Sequence, residues 1–258
     1  MLIANKYKII EKLGSGEFGT IFKGENIRTK EQIAIKLEPK SFETNMLKRE
    51  TQIYKYLGKA EGIPTVKWFG THEEYNYMVL PLYGDSLSCK TFSLLDVFSI
   101  GQKIIKILKY IHEKGLIHRD IKPDNFVLSQ DGKDIYIIDF GLCRKYKDDT
   151  GKHIGLKTGK TIIGTLNYIS VNVQNGTEPS RRDDLISLGY ILLYLLNGGL
   201  PWLTKRENEI LIDKKNLLKS TKIQIPEGIK KFMNYCETQY FEEEPIYDYL
   251  INLLKIEK

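Results

Sequence analysis

To about residue 80, the chain alternates apolar and polar side chains in short runs, a pattern that predicts β-strands. Residues 7–13 and 20–25 predict two strands joined by a glycine-rich turn, and residues 33–37 predict a third. Residues 75–82 predict a later strand. Before that strand, residues 43–57 place apolar side chains along one helical stripe, namely Met46, Leu47, Ile53, Tyr54 and Leu57. This part of the chain therefore predicts a mostly antiparallel sheet that carries one helix.

Helical spacing replaces this alternation in the rest of the chain. Residues 97–112 repeat apolar side chains every three or four positions, as one face of a helix does. The exceptions are two short apolar runs, residues 126–128 and 135–138. The Asp-Gly pair between these runs is typical of a hairpin turn. A second region, mainly helical with one hairpin, is therefore expected.

The length and the change of pattern predict how the chain is divided. At 258 residues it is too long for one small core, and about 100–200 residues per domain allows one large domain or two lobes. The composition changes at residues 83–88, where a Gly-Asp-Ser stretch follows a strand. We predict an α+β fold, a single domain over residues 1–258. Its small antiparallel sheet lobe (1–83) carries one helix, and its larger lobe (84–258) is mainly α-helical.

Charge and cysteine content limit the partners and the compartment. The chain has 39 basic and 33 acidic residues, a net charge of +6; this balance favours acidic partners and equally fits ordinary solubility. The most apolar run, residues 185–196, is shorter than the ~18–20 residues of a membrane span, and residues 1–8 lack the apolar stretch of a signal peptide. The three cysteines are far apart, which predicts free thiols in the cytoplasm or nucleus; they are Cys89, Cys143 and Cys236.

The motif Gly14-Ser15-Gly16-Glu17-Phe18-Gly19 has two interpretations. It could open a dinucleotide-binding unit, with Glu38 near the position of the ribose-binding acid, but such a unit needs a helix directly after the glycines. Residues 20–24 alternate like a strand instead. The favoured interpretation is a hairpin turn whose backbone N–H groups lie close over nucleotide phosphates.

Lys36 stands among apolar residues of a predicted strand, where an unpaired ammonium is costly to bury. It therefore needs an anion. One candidate is the α- and β-phosphates of ATP. The other is Glu50, which falls on the same helical side as Ile53 and Leu57, so that its carboxylate points toward the core.

Two further motifs contain the candidate catalytic residues. They are residues 118–125, with the sequence HRDIKPDN, and Asp139-Phe140-Gly141. Asp120 is placed to orient a substrate hydroxyl and to accept its proton. Lys122 is placed to neutralise charge on a transferring phosphoryl group. Asn125 and Asp139 offer the oxygen ligands that magnesium requires. The two motifs are typical of protein kinases.

The whole set of motifs resembles the casein kinase I family. Ser170-Val171-Asn172 stands where most protein kinases have Ala-Pro-Glu and this family has Ser-Ile-Asn. Further phrases, among them Ser180-Arg181-Arg182-Asp183-Asp184 and Leu200-Pro201-Trp202, extend the likeness over nearly the whole chain. The resemblance implies a bilobal kinase that uses MgATP and phosphorylates serine or threonine near acidic or already phosphorylated residues. It also implies activity without phosphorylation of the activation loop.

The resemblance also implies a set of site residues. Leu80 would border the adenine, while Pro81 offers its carbonyl and Tyr83 its N–H to the base. Asp184 would brace the catalytic loop, and Lys122 favours a serine or threonine acceptor over tyrosine. Asp120, Lys122, Lys36 and Glu50 form the catalytic set, and Asn125 and Asp139 bind the metal. The implied ATP site consists of Leu13, Gly14, Ser15, Gly16, Gly19, Ile21, Ala34, Lys36, Leu80, Pro81 and Tyr83.

Two departures from the family concern the recognition of phosphate. Asn167 replaces an arginine that helps to hold an anion beside the substrate groove, and an uncharged amide cannot form charge-assisted bonds. The segment from 202 to 214 is also shorter than in the family. Nearby basic residues either compensate for the arginine or form an ordinary solvated stretch, and they are Lys157, Lys160, Arg181 and Arg182.

Two other functions are alternatives to an active protein kinase. A pseudokinase scaffold would be favoured by the loss of Lys36, Asp120, Asn125 or Asp139, and all four are present. A kinase of small metabolites is disfavoured by Lys122. The expected partners are acidic or phosphorylated protein substrates, with no nucleic acid and no membrane, and the expected state is a monomer. Because the sequence ends soon after the last helical pattern, control by a C-terminal tail is not expected.

Overall fold

The computed structural model describes residues 1–16, 19–41 and 45–255. The chain divides into two compact units, of which the first combines residues 1–85 with 127–141 and the second combines 86–126 with 142–258. The division into lobes after Tyr83 stays a prediction. Glu17 and Phe18 of the glycine motif, and the predicted helix start at Glu43, lie outside the described residues.

The first unit is built on a six-stranded antiparallel sheet, as the alternating pattern predicts. Its strands follow the order β1-β2-β3-β4-β6-β5. A core of buried side chains fills one face, including Tyr7, Ile35 and Val79. The strands of the chain are β1 (Leu2–Ile3), β2 (Tyr7–Gly16), β3 (Gly19–Asn26), β4 (Gln32–Pro39), β5 (Trp68–His72), β6 (Tyr75–Pro81), β7 (Leu116–Ile117), β8 (Phe126–Leu128), β9 (Ile135–Ile137) and β10 (Arg144–Lys145).

The expected hairpin is present, since β8 pairs with β9. Gly132 in the connection adopts φ +73°, a conformation that glycine reaches without steric cost. β1, β5, β7 and β10 were not predicted, and β7 and β10 have only two residues each. β1 has only two residues, and β5 contains Gly70 and no regular alternation of buried and exposed side chains.

Helices dominate the second unit, as the spacing predicts. α4, which contains the most apolar run of the sequence, is buried along most of its circumference. No helix within the described residues is long and apolar enough to cross a membrane. The helices of the chain are α1 (Met46–Leu57), which belongs to the first unit, α2 (Leu94–Glu113), α3 (Val171–Gln174), α4 (Arg181–Asn197), α5 (Glu207–Lys215), α6 (Glu227–Thr238) and α7 (Tyr247–Leu253).

Candidate active site

Lys36 lies in β4 of the first unit and bonds to two carboxylates. Its Nζ is 2.8 Å from Oε2 of Glu50 on α1 and 3.0 Å from Oδ1 of Asp139. Lys36 is 8% exposed and Glu50 is 2% exposed. Burial lowers the pKa of the ammonium, but the two carboxylates outweigh burial and the net shift is upward. Lys36 is therefore charged, and Glu50 is the anion that its apolar strand required.

Helix α1 positions Asp139 through a second side chain, Tyr54, one turn after Glu50. The N–H of Asp139 donates to Oη of Tyr54 at 3.2 Å, and the Tyr54 ring packs edge-on against Phe140 with centroids 4.8 Å apart. The N–H of Phe140 donates to the Glu50 carboxylate. Asp139 itself has φ +63°, an unfavourable conformation for a residue with a side chain. The surrounding bonds hold this strained residue in place.

The described glycines of the motif lie near the end of β2 and at the start of β3. Gly14 of β2 pairs with Ile21 of β3, and Ile21 pairs on its other side with Lys36 of β4. A Cβ built at Gly14 or Gly16 would meet no described atom within 4 Å. At Gly19, with φ +126°, a Cβ would lie 2.2 Å from the carbonyl oxygen of Leu37. The fold therefore requires glycine at position 19, whereas nothing among the described residues requires it at 14 and 16.

The residues assigned to the adenine base lie at the end of β6, the strand that pairs with β4. Leu80 is opposite Ala34 in this ladder, and both side chains are half-buried. Pro81 is the last residue of the strand. Tyr83 follows, with its ring 4.3 Å from that of Tyr136. Ala34, Leu80 and Lys36 thus belong to one small area of the sheet, and contact with adenine stays a prediction.

In the second unit, Asp120 is the centre of a compact hydrogen-bonded group. Its Oδ1 accepts from the Oγ1 of Thr165 at 2.7 Å and from the Thr165 N–H at 3.1 Å. Its Oδ2 accepts from Nζ of Lys122 at 2.7 Å and from Nδ2 of Asn125 at 3.0 Å. Lys122 also donates to Oγ1 of Thr165 at 3.2 Å. The predicted residues Asp120, Lys122 and Asn125 are therefore together, and Thr165 joins them.

The amide of Asn125 has a fixed orientation that suits a metal ligand. Its Nδ2 donates to the main-chain oxygen of Asp120 at 2.8 Å as well as to the carboxylate. Because both partners are acceptors, the nitrogen must face them, and Oδ1 is left as the atom that can bind a cation. No cluster of three or more His, Cys, Asp or Glu side chains suited to a metal occurs in the described part of the chain. Magnesium needs no such cluster, because it commonly binds one or two protein oxygens together with phosphates.

Asp184 braces the loop that carries Asp120. Its carboxylate accepts from the N–H of His118 at 2.8 Å and from that of Arg119 at 2.9 Å. Burial raises its pKa, but the bond to His112 and the nearby N–H groups outweigh burial and the net shift is downward. Arg119 has φ +70°, so the charged carboxylate stabilises a strained main chain. The contacts agree with the bracing role that the resemblance implies.

The basic residues near Asn167 divide into two kinds. Arg181 is buried and donates to the main-chain oxygen of Glu242 and to the hydroxyl of Tyr146. Arg182 donates to the main-chain oxygen of Gln239. These contacts occupy both side chains within the fold and do not support a role in binding external anions. Two exposed basic side chains remain from the expected set, Lys157 and Lys160.

The buried carboxylate of Glu178 interacts with two arginines, Arg119 in the first motif and Arg144 just after the second. Glu178 accepts from Nη1 of Arg144 at 2.8 Å, and its side chain is almost fully buried. Burial lowers the pKa of Arg119, as does Arg144, whereas Glu178 raises it. Nε of Arg119 donates to the carbonyl of Leu142 at 2.6 Å. The negative charge of Glu178 therefore stabilises the positive charge of both arginines.

Sequence reasoning missed Thr165 and Tyr54. Thr165 is 45 positions from Asp120 and stands in a stretch with no period that marks it. Tyr54 was expected on the apolar stripe of α1, but its role as an acceptor for Asp139 has no local sequence signal. Both roles depend on contacts between distant parts of one unit.

One comparison with known families covers nearly all of the chain. The model of the family described as "Protein kinase domain" matches residues 7–256.

Proposed function

The chain belongs to the protein kinase family, and so is an ATP-dependent phosphotransferase; we propose that it is a casein kinase I-type enzyme that phosphorylates serine or threonine in acidic or phospho-primed protein segments. The observation that carries the proposal is the group formed by Asp120, Lys122, Asn125 and Thr165. In this group an ammonium and an oriented amide each lie within hydrogen-bond distance of the same carboxylate. A hydroxyl acceptor, a phosphoryl group and a metal require these three types of group.

Asp120 acts on the acceptor hydroxyl. Its carboxylate is held by Thr165 on one oxygen and by Lys122 and Asn125 on the other, so its direction is fixed before substrate arrives. A substrate hydroxyl that replaces one of these donors is oriented for attack and passes its proton to Asp120. Fixed positioning of this kind is a main source of rate enhancement in phosphoryl transfer.

Lys122 and Lys36 supply positive charge. The ammonium of Lys122 donates to Asp120 and to Thr165. In this position beside Asp120, it neutralises the charge that develops on the transferred phosphoryl group. Lys36 is oriented by Glu50 and binds the nucleotide phosphates. Lysine is suited to both tasks because its ammonium is a compact charge with three donors.

Asn125 and Asp139 are the proposed magnesium ligands, and the donor set fits this ion. Each contributes a hard oxygen, one neutral and one anionic. When bound with ATP, magnesium would neutralise charge on the phosphates and orient them. The fixed amide of Asn125 and the restrained main chain of Asp139 limit the movement of both ligands.

The glycines of the β2–β3 hairpin are proposed to approach the phosphates. Because the described fold leaves open space at a Cβ of Gly14 or Gly16, close approach of a ligand is a better reason for glycine there than packing. Backbone N–H groups at a turn bind anions without a side chain. Leu13, Ser15 and Ile21 complete the same part of the proposed ATP site.

The casein kinase I assignment is supported by the sequence phrases and by the charge of the chain. A net charge of +6 suits acidic substrates. Asn167, in contrast, has an uncharged side chain and cannot form a charge-assisted bond to a priming phosphate. Acidic residues are therefore proposed as the main determinant of substrate choice, with Lys157 and Lys160 as the nearby cations.

Activity without loop phosphorylation is supported by Glu178. In many kinases a phosphate on the activation loop pairs with arginines and orders it. Here the buried carboxylate of Glu178 pairs with Arg144 and stabilises the charge of Arg119. We propose a constitutively active monomer of the cytoplasm or nucleus, on the grounds of this pair and of the three free cysteines.

Matched peptides test the proposed substrate class. We expect efficient phosphorylation of a peptide with acidic residues upstream of serine, weak phosphorylation of its glutamine analogue, and none of its tyrosine analogue. A phosphoserine in place of one acidic residue should raise kcat/KM only about twofold to threefold, because Asn167 forms no charge-assisted bond. The measurement is kcat/KM for each peptide with MgATP.

The peptide series also identifies the outcomes that contradict the proposal. A gain of tenfold or more from the priming phosphate would show that other residues replace the missing arginine. Equal use of the acidic and glutamine peptides would reject the acidic specificity, and use of the tyrosine peptide would reject the serine and threonine class.

A further inference from the structure

Lys214, near the end of α5, is a buried lysine whose ammonium bonds to carbonyl groups and not to an acid. It is 2% exposed. Its Nζ donates to the main-chain oxygens of Leu166 and Ile169, both at 2.7 Å, and to Oε1 of Gln174 at 3.2 Å. It also lies 5.5 Å from the centre of the Tyr190 ring. The three donors of the ammonium therefore each have one acceptor.

No opposite charge compensates for this burial. Within residues 1–16, 19–41 and 45–255, no carboxylate forms an ion pair with Lys214, and the adjacent Asp213 pairs with Lys205 instead. Burial of an unpaired charge costs free energy unless hydrogen bonds offset the cost. The carbonyls of Leu166 and Ile169 provide those bonds. The ammonium and this stretch of main chain therefore depend on each other.

The main chain that Lys214 holds is continuous with the contact to Asp120. We call residues 164–170 the acceptor segment. At its start, Thr165 donates twice to Asp120, the residue that is proposed to bind the acceptor hydroxyl. At its end, Ser170 donates to Asp183 at 2.5 Å. The bonds of Lys214 fix the carbonyls between these two anchors.

We propose that Lys214 is a positioning residue for protein substrates, because its ammonium fixes the main chain of the acceptor segment beside the hydroxyl that receives phosphate. This inference rests on the proposed function. A peptide bound at Asp120 would continue past Thr165 along the acceptor segment, whereas the partners of Lys214, namely Leu166, Ile169 and Gln174, are not among the residues proposed to bind ATP. Loss of the ammonium should therefore weaken peptide binding and leave ATP binding unchanged.

The protonation of Lys214 gives a second, independent consequence. Burial lowers the pKa of Lys214 to about 7. The neighbouring side chains are Gln174 of α3, which is neutral, Tyr190 of α4, whose pKa burial raises so that it stays neutral, and Asp213 of α5, paired with Lys205. Above neutral pH, the amine keeps two donors for three acceptors. The segment then loses one of its bonds.

As the pH rises, the contribution of Lys214 to the free energy of unfolding increases, although the acceptor segment loses a bond. The pKa of this lysine is about 7 in the folded chain and near the ordinary 10.5 in the unfolded chain. Between these values the unfolded chain binds more protons, so Lys214 makes the free energy of unfolding rise with pH. A weaker affinity for peptide at pH 8.5 would therefore not come from partial unfolding at this residue.

The test compares Lys214→Met with Lys215→Met, which removes the same charge from an exposed neighbour. For each variant we would measure the KM for peptide, the KM for ATP and the rate of ATP hydrolysis without peptide. The peptide contains one serine, and its only titratable groups are acidic. We expect Lys214→Met to raise the peptide KM at least tenfold, with the other two values within twofold. Lys215→Met should match the wild type.

The inference would be overturned if Lys214→Met has a peptide KM within twofold of the wild type. It would also be overturned if the KM for peptide, the KM for ATP and the rate of ATP hydrolysis are all impaired to the same extent. If Lys214→Met does not fold, the wild type decides: its peptide KM should rise at least threefold from pH 6 to 8.5 at constant ATP KM, and a flat profile would overturn the inference. Failure of the proposed function is distinct, since the wild type would then phosphorylate no peptide at all.

Discussion

Replacement of Asp120 by asparagine is expected to lower kcat for peptide phosphorylation by about 10²–10⁴-fold, the usual contribution of a general base. The amide keeps the size of the carboxylate and one oxygen that can accept from Thr165. It cannot accept a proton, however, and its NH₂ group would face the ammonium of Lys122, which now lies 2.7 Å from Oδ2. The loss should appear in kcat, with the KM for ATP nearly unchanged.

A matched control is Asp149→Asn, which removes the same charge from an exposed position. Its kcat should equal that of the wild type. The melting temperature of Asp120→Asn, measured in parallel, separates lost chemistry from lost folding. A variant at position 120 that is folded and retains more than a tenth of the wild-type kcat would mean that another group accepts the proton.

Replacement of Lys36 by arginine is expected to remove most of the activity and to preserve the fold. Arginine keeps the charge but replaces a compact ammonium by a larger planar group. The present geometry, with Nζ at 2.8 Å from Glu50 and 3.0 Å from Asp139, is too confined for the guanidinium to reproduce both contacts. A displacement of about 1 Å at a catalytic group costs roughly 10²-fold in rate. We expect kcat/KM for ATP to fall by that order.

The control for this change is Lys8→Arg, an exposed lysine of β2 in the same unit. It should leave kcat/KM unaltered. Circular dichroism and the melting temperature should remain close to the wild-type values in both variants. Near-normal turnover by Lys36→Arg would contradict the role assigned to Lys36, because it would show that the position of the cation is unimportant.

The fold could be predicted where the sequence pattern is local. β2, β3, β4 and β6 were predictable from short alternating runs in the sequence, and α1 and α2 from helical periods, because each signal lies within one element. The pair of Lys36 and Glu50 was also predictable, because a lysine in an apolar strand requires an anion and Glu50 faces the core. β5 was missed because it is only five residues long and has Gly70, a residue that disfavours strands, at its centre.

Several site contacts could not be predicted because they join distant parts of the chain. The bond of Lys36 to Asp139 spans 103 positions. Lys214 looks like an ordinary helical lysine in the sequence, and only its burial beneath the acceptor segment distinguishes it. Arg181 is the opposite case. Its charge suggested a role in binding an anion, but its side chain donates to Glu242 and Tyr146 inside the fold.

The central claim, that Asp139 and Asp120 serve phosphate transfer to protein hydroxyls, is tested most directly by one comparison. The purified chain and its Asp139→Asn variant are incubated with labelled ATP, magnesium and casein, and phosphoserine and phosphothreonine are measured after hydrolysis. Because Asp139 is the proposed anionic metal ligand and a partner of Lys36, the wild type should transfer label and the variant should give only background. Equal transfer by both proteins, or none by the wild type, would contradict the account.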